Sequence, residues 1–137
     1  MIFREPLQAP IVGSQSLKTR SYTMSDCLFC KMVSGEIRPD VVYEDEHVLA
    51  FRDINPQGPV HVLIIPKEHI STLNELEEQH AELMGRLFLA AKKVAEMENL
   101  AENGYRTVIN CNRHGGQEVY HIHLHLIGGR QMTWPPG

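Results

Sequence analysis

The stretch His121-Ile122-His123-Leu124-His125-Leu126-Ile127 constrains the fold more than any other part of the chain. In an extended strand, successive side chains point to opposite faces. His121, His123 and His125 therefore share one face, and Ile122, Leu124 and Leu126 share the other. Such a strand needs a core on its apolar side and a use for its imidazoles on the other, because burying three unpaired imidazoles is costly. Just upstream, Arg113-His114-Gly115-Gly116-Gln117 carries two adjacent glycines, which permit a tight turn and a close backbone approach by a ligand.

The remaining elements follow in order. Leu28, Phe29, Met32 and Val33 form the stripe of a short helix within 25–38, with Asp26 as its expected N-cap and Ser34-Gly35 as its end. On spacing alone, Phe29, Met32 and Ile37 read as core. Val41-Val42-Tyr43 and Val48-Leu49-Ala50-Phe51 predict a hairpin around Glu44-Asp45-Glu46. Asp53 to Pro59 reads as a loop, and Val60 to Ile65 as a third, central strand stopped by Pro66. Leu83, Leu87, Ala91, Val94 and Met97 mark the apolar face of one long helix, expected to be capped by Ser71 or Asn74 and ended by Asn103-Gly104. Tyr105–Asn110 is the fourth strand and the histidine stretch the fifth. The pattern predicts an α+β fold: an antiparallel sheet of about five strands with one long and one short helix.

Residues 1–23 lack periodicity and read as a disordered or loosely attached leader ahead of a domain spanning 24–137. Two origins stay open: a targeting peptide, acid-poor with Arg4, Lys18 and Arg20 but lacking an apolar h-region, or an upstream start with Met24 as the natural first residue.

Charge and cysteine content narrow the function. A net charge of −4 supplies no basic field for a nucleic-acid backbone. No apolar run approaches the roughly 20 residues a membrane span needs. Cys27, Cys30 and Cys111 are too few for a disulfide scaffold, so thiols or a metal in a reducing, cytoplasmic setting are expected. Ligands at alternate positions of one strand diverge along about 13 Å, so the three histidines cannot all meet one ion. One of them can join Cys27-x-x-Cys30, with His69 and His121 as candidates, in a tetrahedral zinc site; a redox C-x-x-C competes with that reading. The other chemistry open to the row is nucleophilic attack on phosphorus by an imidazole, with neighbouring histidines and a glycine turn stabilising the oxygens and Gln117 bonding the leaving group.

The run Gly115-Gly116-Gln117-Glu118-Val119-Tyr120-His121-Ile122-His123-Leu124-His125-Leu126-Ile127-Gly128-Gly129-Arg130 resembles the signature of the histidine triad (HIT) superfamily, and within it the Hint branch of nucleotide-binding proteins. The resemblance extends through Ala50–Gln57, Ile64-Ile65-Pro66-Lys67 and Trp134-Pro135-Pro136-Gly137. It implies a homodimer with one continuous sheet and hydrolysis of purine nucleoside 5′-phosphoramidates such as adenosine monophosphoramidate, without a catalytic cofactor. Carried over, His123 is the nucleophile, His125 and His61 contact the phosphate, and His121 supports the site. Gln117, Gly116 and Asn110 line the phosphate side, Asp53 holds the ribose, and Ile54, Phe29, Met32, Ile37 and Phe51 wall the base. Relatives bearing the cysteine pair imply structural zinc on Cys27, Cys30, His69 and His121. Glu118 stands where many animal members have serine, which should favour amine over anionic leaving groups. Two other roles compete: dinucleoside polyphosphate hydrolysis, as in the Fhit branch, and a nucleotide-binding regulatory module with incidental turnover.

Overall fold

The computed structural model describes residues 26–137; the expected leader lies outside them. The chain runs α1 (Leu28–Ser34), β1 (Val41–Glu44), β2 (Val48–Arg52), β3 (Val60–Pro66), α2 (Ala81–Met97), β4 (Tyr105–Val108), α3 (Asn112–Gly115) and β5 (Leu124–Gly128). The five strands form one antiparallel sheet in the order β1-β2-β3-β5-β4. The α+β expectation therefore holds. β5, last in sequence, is inserted beside the central β3, so the histidine stretch lies inside the sheet. No helix among the described residues is long and apolar enough to cross a membrane.

The alternation along β2, β3 and β5 gives the sheet two faces. Val48, Ala50, Val62, Ile64, Ile122, Leu124 and Leu126 pack beneath Leu87, Ala90, Ala91, Val94 and Ala95 of α2. On the other face, Leu49, Phe51, Leu63 and Ile65 join Cys27 and Phe29 at the start of α1. Replacing a buried leucine such as Leu87 by alanine should cost about 2–5 kcal/mol.

Several boundaries differ from the sequence expectation. Cys27, not Asp26, caps α1: its Sγ accepts from the Cys30 N–H at 3.3 Å. The long helix begins at Ala81, behind two short 3-10 turns, so Ser71 and Asn74 do not cap it. Thr72 caps the first of these turns by accepting from Asn74 N–H. The helix ends at Met97 rather than at Asn103-Gly104. Asn99 adopts a left-handed φ of 62°, and the bonds Leu100 N–H to Ala95 O and Asn99 N–H to Glu96 O close a Schellman motif. Met97, expected in the core, is the last residue of the helix and is 51% exposed.

The fifth strand pairs only from Leu124 onward. Its register with β3 (Ile64 opposite Leu124) would place Ile122 opposite Pro66, which has no N–H for the Ile122 carbonyl and whose own carbonyl accepts from His121 Nε2. The Ile122 N–H instead donates to Ile70 O at 2.7 Å. His121 and His123 thus sit on the extended approach to β5, with only His125 on the paired strand.

Candidate active site and metal centre

The structure divides the histidine row into two groups. His121 is fully buried and turns toward Cys27, Cys30 and His69. His123 and His125 face His61, with ring centroids 5.0 Å apart for His123–His125 and 5.2 Å for His61–His125.

In the first group, four donor atoms converge. Nδ1 of His121 lies 3.3 Å from Cys27 Sγ, 3.6 Å from Cys30 Sγ and 3.3 Å from His69 Nδ1. Cys30 Sγ lies 3.2 Å from His69 Nδ1. Zinc bonds of about 2.3 Å to sulfur and about 2.0 Å to nitrogen give tetrahedral edges of roughly 3.3–3.8 Å. The observed spacing fits, slightly contracted. Protonation also fits: His121 Nε2 donates to Pro66 O at 2.8 Å, which leaves Nδ1 as a bare lone pair toward the cluster. Burial holds this imidazole neutral, its pKa lowered to about 4. The Cys30 thiol without an ion is pushed up to about 12 by burial and by Cys27, so a cation is what would make this thiolate stable.

Asp53, His61 and His125 also form a cluster with metal-ligand atoms in reach of one another. Its hydrogen bonds argue against an ion there. His61 Nδ1 accepts the Gln57 N–H at 3.0 Å, so the neutral ring carries its proton on Nε2. That Nε2 lies 2.9 Å from His125 Nδ1 and 3.4 Å from an Asp53 oxygen. His125 Nδ1 is then an acceptor, and its proton resides on Nε2. The cluster is a hydrogen-bonded relay, with the inward nitrogen of His61 protonated rather than free for a metal.

His123 completes the site. Its Nδ1 donates to the His121 carbonyl oxygen at 2.8 Å, so the neutral ring keeps its lone pair on Nε2. The ring is 7% exposed and stands edge-on to Phe29, with centroids 5.2 Å apart. Burial lowers its pKa, while the bond to His121 and the charges of Asp53 and Glu118 oppose that shift. His125 is lowered to about 4 by burial and by His123 and His61. His61 is lowered by burial against the pull of Asp53. At neutral pH the row is uncharged.

Other expected residues fall at varied distances from this centre. The Gln117 amide is buried and engaged on both sides, donating to Ser71 O and Val119 O and accepting from Asn112 N–H. It therefore clamps the glycine turn, and neither of its donor hydrogens is free for a leaving group. The turn itself is the one-turn helix α3, ended by Gly116 at φ 80°, an element the sequence reading treated only as a turn. Glu118 is exposed, near enough to act on His123. Asp53 Oδ1 accepts from Asn55 N–H. Asn110, Met32 and Ile37 are half-buried, and Ile54 is fully exposed. Phe29 and Phe51 pack edge-on in the core, and Phe29 also stands against the His123 ring. His121 turns its ring toward Cys27 and Cys30, and its carbonyl oxygen accepts from His123 Nδ1. Gln57 was missed, because a backbone N–H leaves no mark in residue type.

Comparison with known proteins agrees with this geometry. The family model described as HIT domain matches residues 34–132. The chain is 53% identical over 131 residues to Adenylylsulfatase HINT1 of Arabidopsis thaliana, covering 93% of this chain and 88% of that protein. It is 52% identical over 107 residues to Purine nucleoside phosphoramidase of Escherichia coli (strain K12), covering 78% and 90%. It is 58% identical over 114 residues to a 14 kDa zinc-binding protein of Brassica juncea, covering 82% and 100%. A HIT family hydrolase crystal structure from Legionella pneumophila superposes with a TM-score of 0.80 at 61% identity, over 81% of this chain and 99% of that one. With the family model matching residues 34–132, most of the chain, and relatives more than half identical along most of their length, the protein belongs to the HIT domain family.

Proposed function

We propose that the protein is a purine nucleotide-binding hydrolase that cleaves the P–N bond of nucleoside 5′-phosphoramidates through a nucleotidylated His123. The observation that carries this reading is the proton arrangement: Nδ1–H of His123 is held by the His121 carbonyl, so its Nε2 is an unprotonated nucleophile. Attack by Nε2 forms an N–P bond as the substrate P–N bond breaks, and the amine leaves with an added proton. His125, with Nδ1 accepting from His61, offers Nε2–H as the donor. Water then displaces His123 and releases the nucleoside monophosphate. Asp53, close to His61, is assigned to the ribose hydroxyls. No step of this scheme passes through a metal.

Two relatives carry different activity names, adenylylsulfatase and phosphoramidase. The same nucleophile could open a phosphosulfate, expelling sulfate. Glu118, whose charge reaches His123, favours the amine over the sulfate anion. Turnover of adenosine 5′-phosphoramidate against adenosine 5′-phosphosulfate separates these; faster phosphosulfate cleavage would reverse the assignment. A folded protein that binds AMP but turns over neither would be a regulatory nucleotide-binding module instead.

The Cys27, Cys30, His69 and His121 cluster is assigned to structural zinc, on its donor set and spacing. A homodimer continuing the sheet is supported by the edge position of β4 and by the exposed Phe88, Leu89 and Tyr105. A monomeric mass by light scattering would rule the dimer out.

A further inference from the structure

Three contacts tie the segment after β5 to the loop between β2 and β3. Arg130 Nε donates to the Gln57 carbonyl at 3.0 Å. A methyl group on Gly58 would sit 3.0 Å from Ile127 Cγ2, so this loop lies directly on the end of β5. Gly129 takes a φ of 92°, and a methyl group there would come within 2.8 Å of Pro59 Cβ. Gly128-Gly129-Arg130 and Gln57-Gly58-Pro59 are thus interlocked. The second segment matters to the site because the Gln57 N–H is the donor to His61 Nδ1.

We infer that Arg130 is a positioning residue for the reaction: by holding residue 57 in place, it keeps the Gln57 N–H on His61 and so fixes the tautomers of His61 and His125. The inference rests on the proposed function for its kinetic consequence, though not for the tautomers. With Gln57 in place, His61 must carry its proton on Nε2 and give it to His125 Nδ1. Without it, His61 can hold Nδ1–H and turn a lone pair toward His125. His125 then bonds only by moving its own proton to Nδ1, and its Nε2 ceases to be a donor. A catalytic imidazole in the wrong tautomer loses rate while the fold stays intact. The geometry also gives the glycines a role: side chains at 58 or 129 would push the loop off the strand end.

The test combines kinetics with 15N NMR of the imidazole nitrogens in the full-length protein carrying its metal. Arg130 is exposed, so Arg130→Ala should fold. We expect its kcat on adenosine 5′-phosphoramidate to fall about fivefold, close to 1 kcal/mol at 1.36 kcal/mol per decade, with KM changed less than twofold. The His61 Nδ1 resonance should move from acceptor-like toward a tautomer average. Arg130→Lys, which can still donate to the Gln57 carbonyl, should recover most of the rate. Gly58→Ala should reproduce the NMR signature from the other side of the contact. A lowered melting temperature with unchanged ring resonances, or wild-type kcat in Arg130→Ala, would overturn the inference. If the resonances move but the wild type has no turnover, the tautomer assignment stands and the proposed reaction fails.

Discussion

His123 Nδ1 lies 2.8 Å from the carbonyl oxygen of His121, whose own ring joins the Cys27, Cys30 and His69 cluster. Side chain and backbone of one residue therefore serve two sites. The ring closes a set of four donors able to hold a metal ion, and the carbonyl selects the tautomer of the next histidine on that face. The alternation of the sequence makes this possible, because residues two apart share a side of the chain.

The first prediction concerns the metal. Untagged protein should contain about one zinc per chain, and Cys27→Ser should lose it. Because metal binding to such a set is coupled to folding, the variant should melt about 10 °C lower or more. Metal-free wild type with the same melting temperature as Cys27→Ser and no response to added zinc would remove the assignment.

Acid should destabilise the fold through the relay histidines. His125 has its pKa lowered from 6.5 to about 4, and His61 is shifted the same way. The unfolded chain thus binds these protons first. Their contribution is fully present above about pH 6.5 and is lost as pH falls toward 4. Urea midpoints should decline across this window, more steeply in wild type than in His125→Asn. Parallel declines in both proteins would refute the role of His125.

Much of this was legible in the chain. Alternation at 121–127 located the histidine cluster, and the apolar run at 60–65 located the sheet centre. Element ends were less legible where a tertiary partner decided them. Ile122 leaves the ladder because its opposite residue is Pro66 and Ile70 O is at hand. Helix α2 stops at Met97 because Asn99 adopts a left-handed conformation that is more common for glycine, while Asn103-Gly104 offered the stronger sequence signal. The direction of each ring in the histidine row was also hidden. Spacing put His121 with His123 and His125 and the cysteine pair made it a candidate ligand; the fold turns its ring toward Cys27 and Cys30. Gln117 read as a leaving-group ligand by residue type, yet its amide is held by Ser71, Val119 and Asn112.

Leaving-group preference should depend on Glu118, an exposed carboxylate whose field reaches His123. In Glu118→Ser, the ratio of turnover of carboxyl-bearing to lysyl-bearing phosphoramidates should rise about fivefold to tenfold, the effect of roughly 1 kcal/mol of charge interaction near a surface. Raised ionic strength should narrow the difference. An unchanged ratio would show that the position does not read leaving-group charge.

The most direct test is single-turnover hydrolysis of adenosine 5′-phosphoramidate, with acid-free trapping and mass analysis of the protein. The wild type should pass through a species heavier by one adenylyl group, attached to His123. His123→Ala should form no adduct, keep its AMP affinity and lose at least about 10³-fold in turnover. Equal turnover by the two proteins, or an adduct on another residue, would contradict the assignment of His123 as nucleophile.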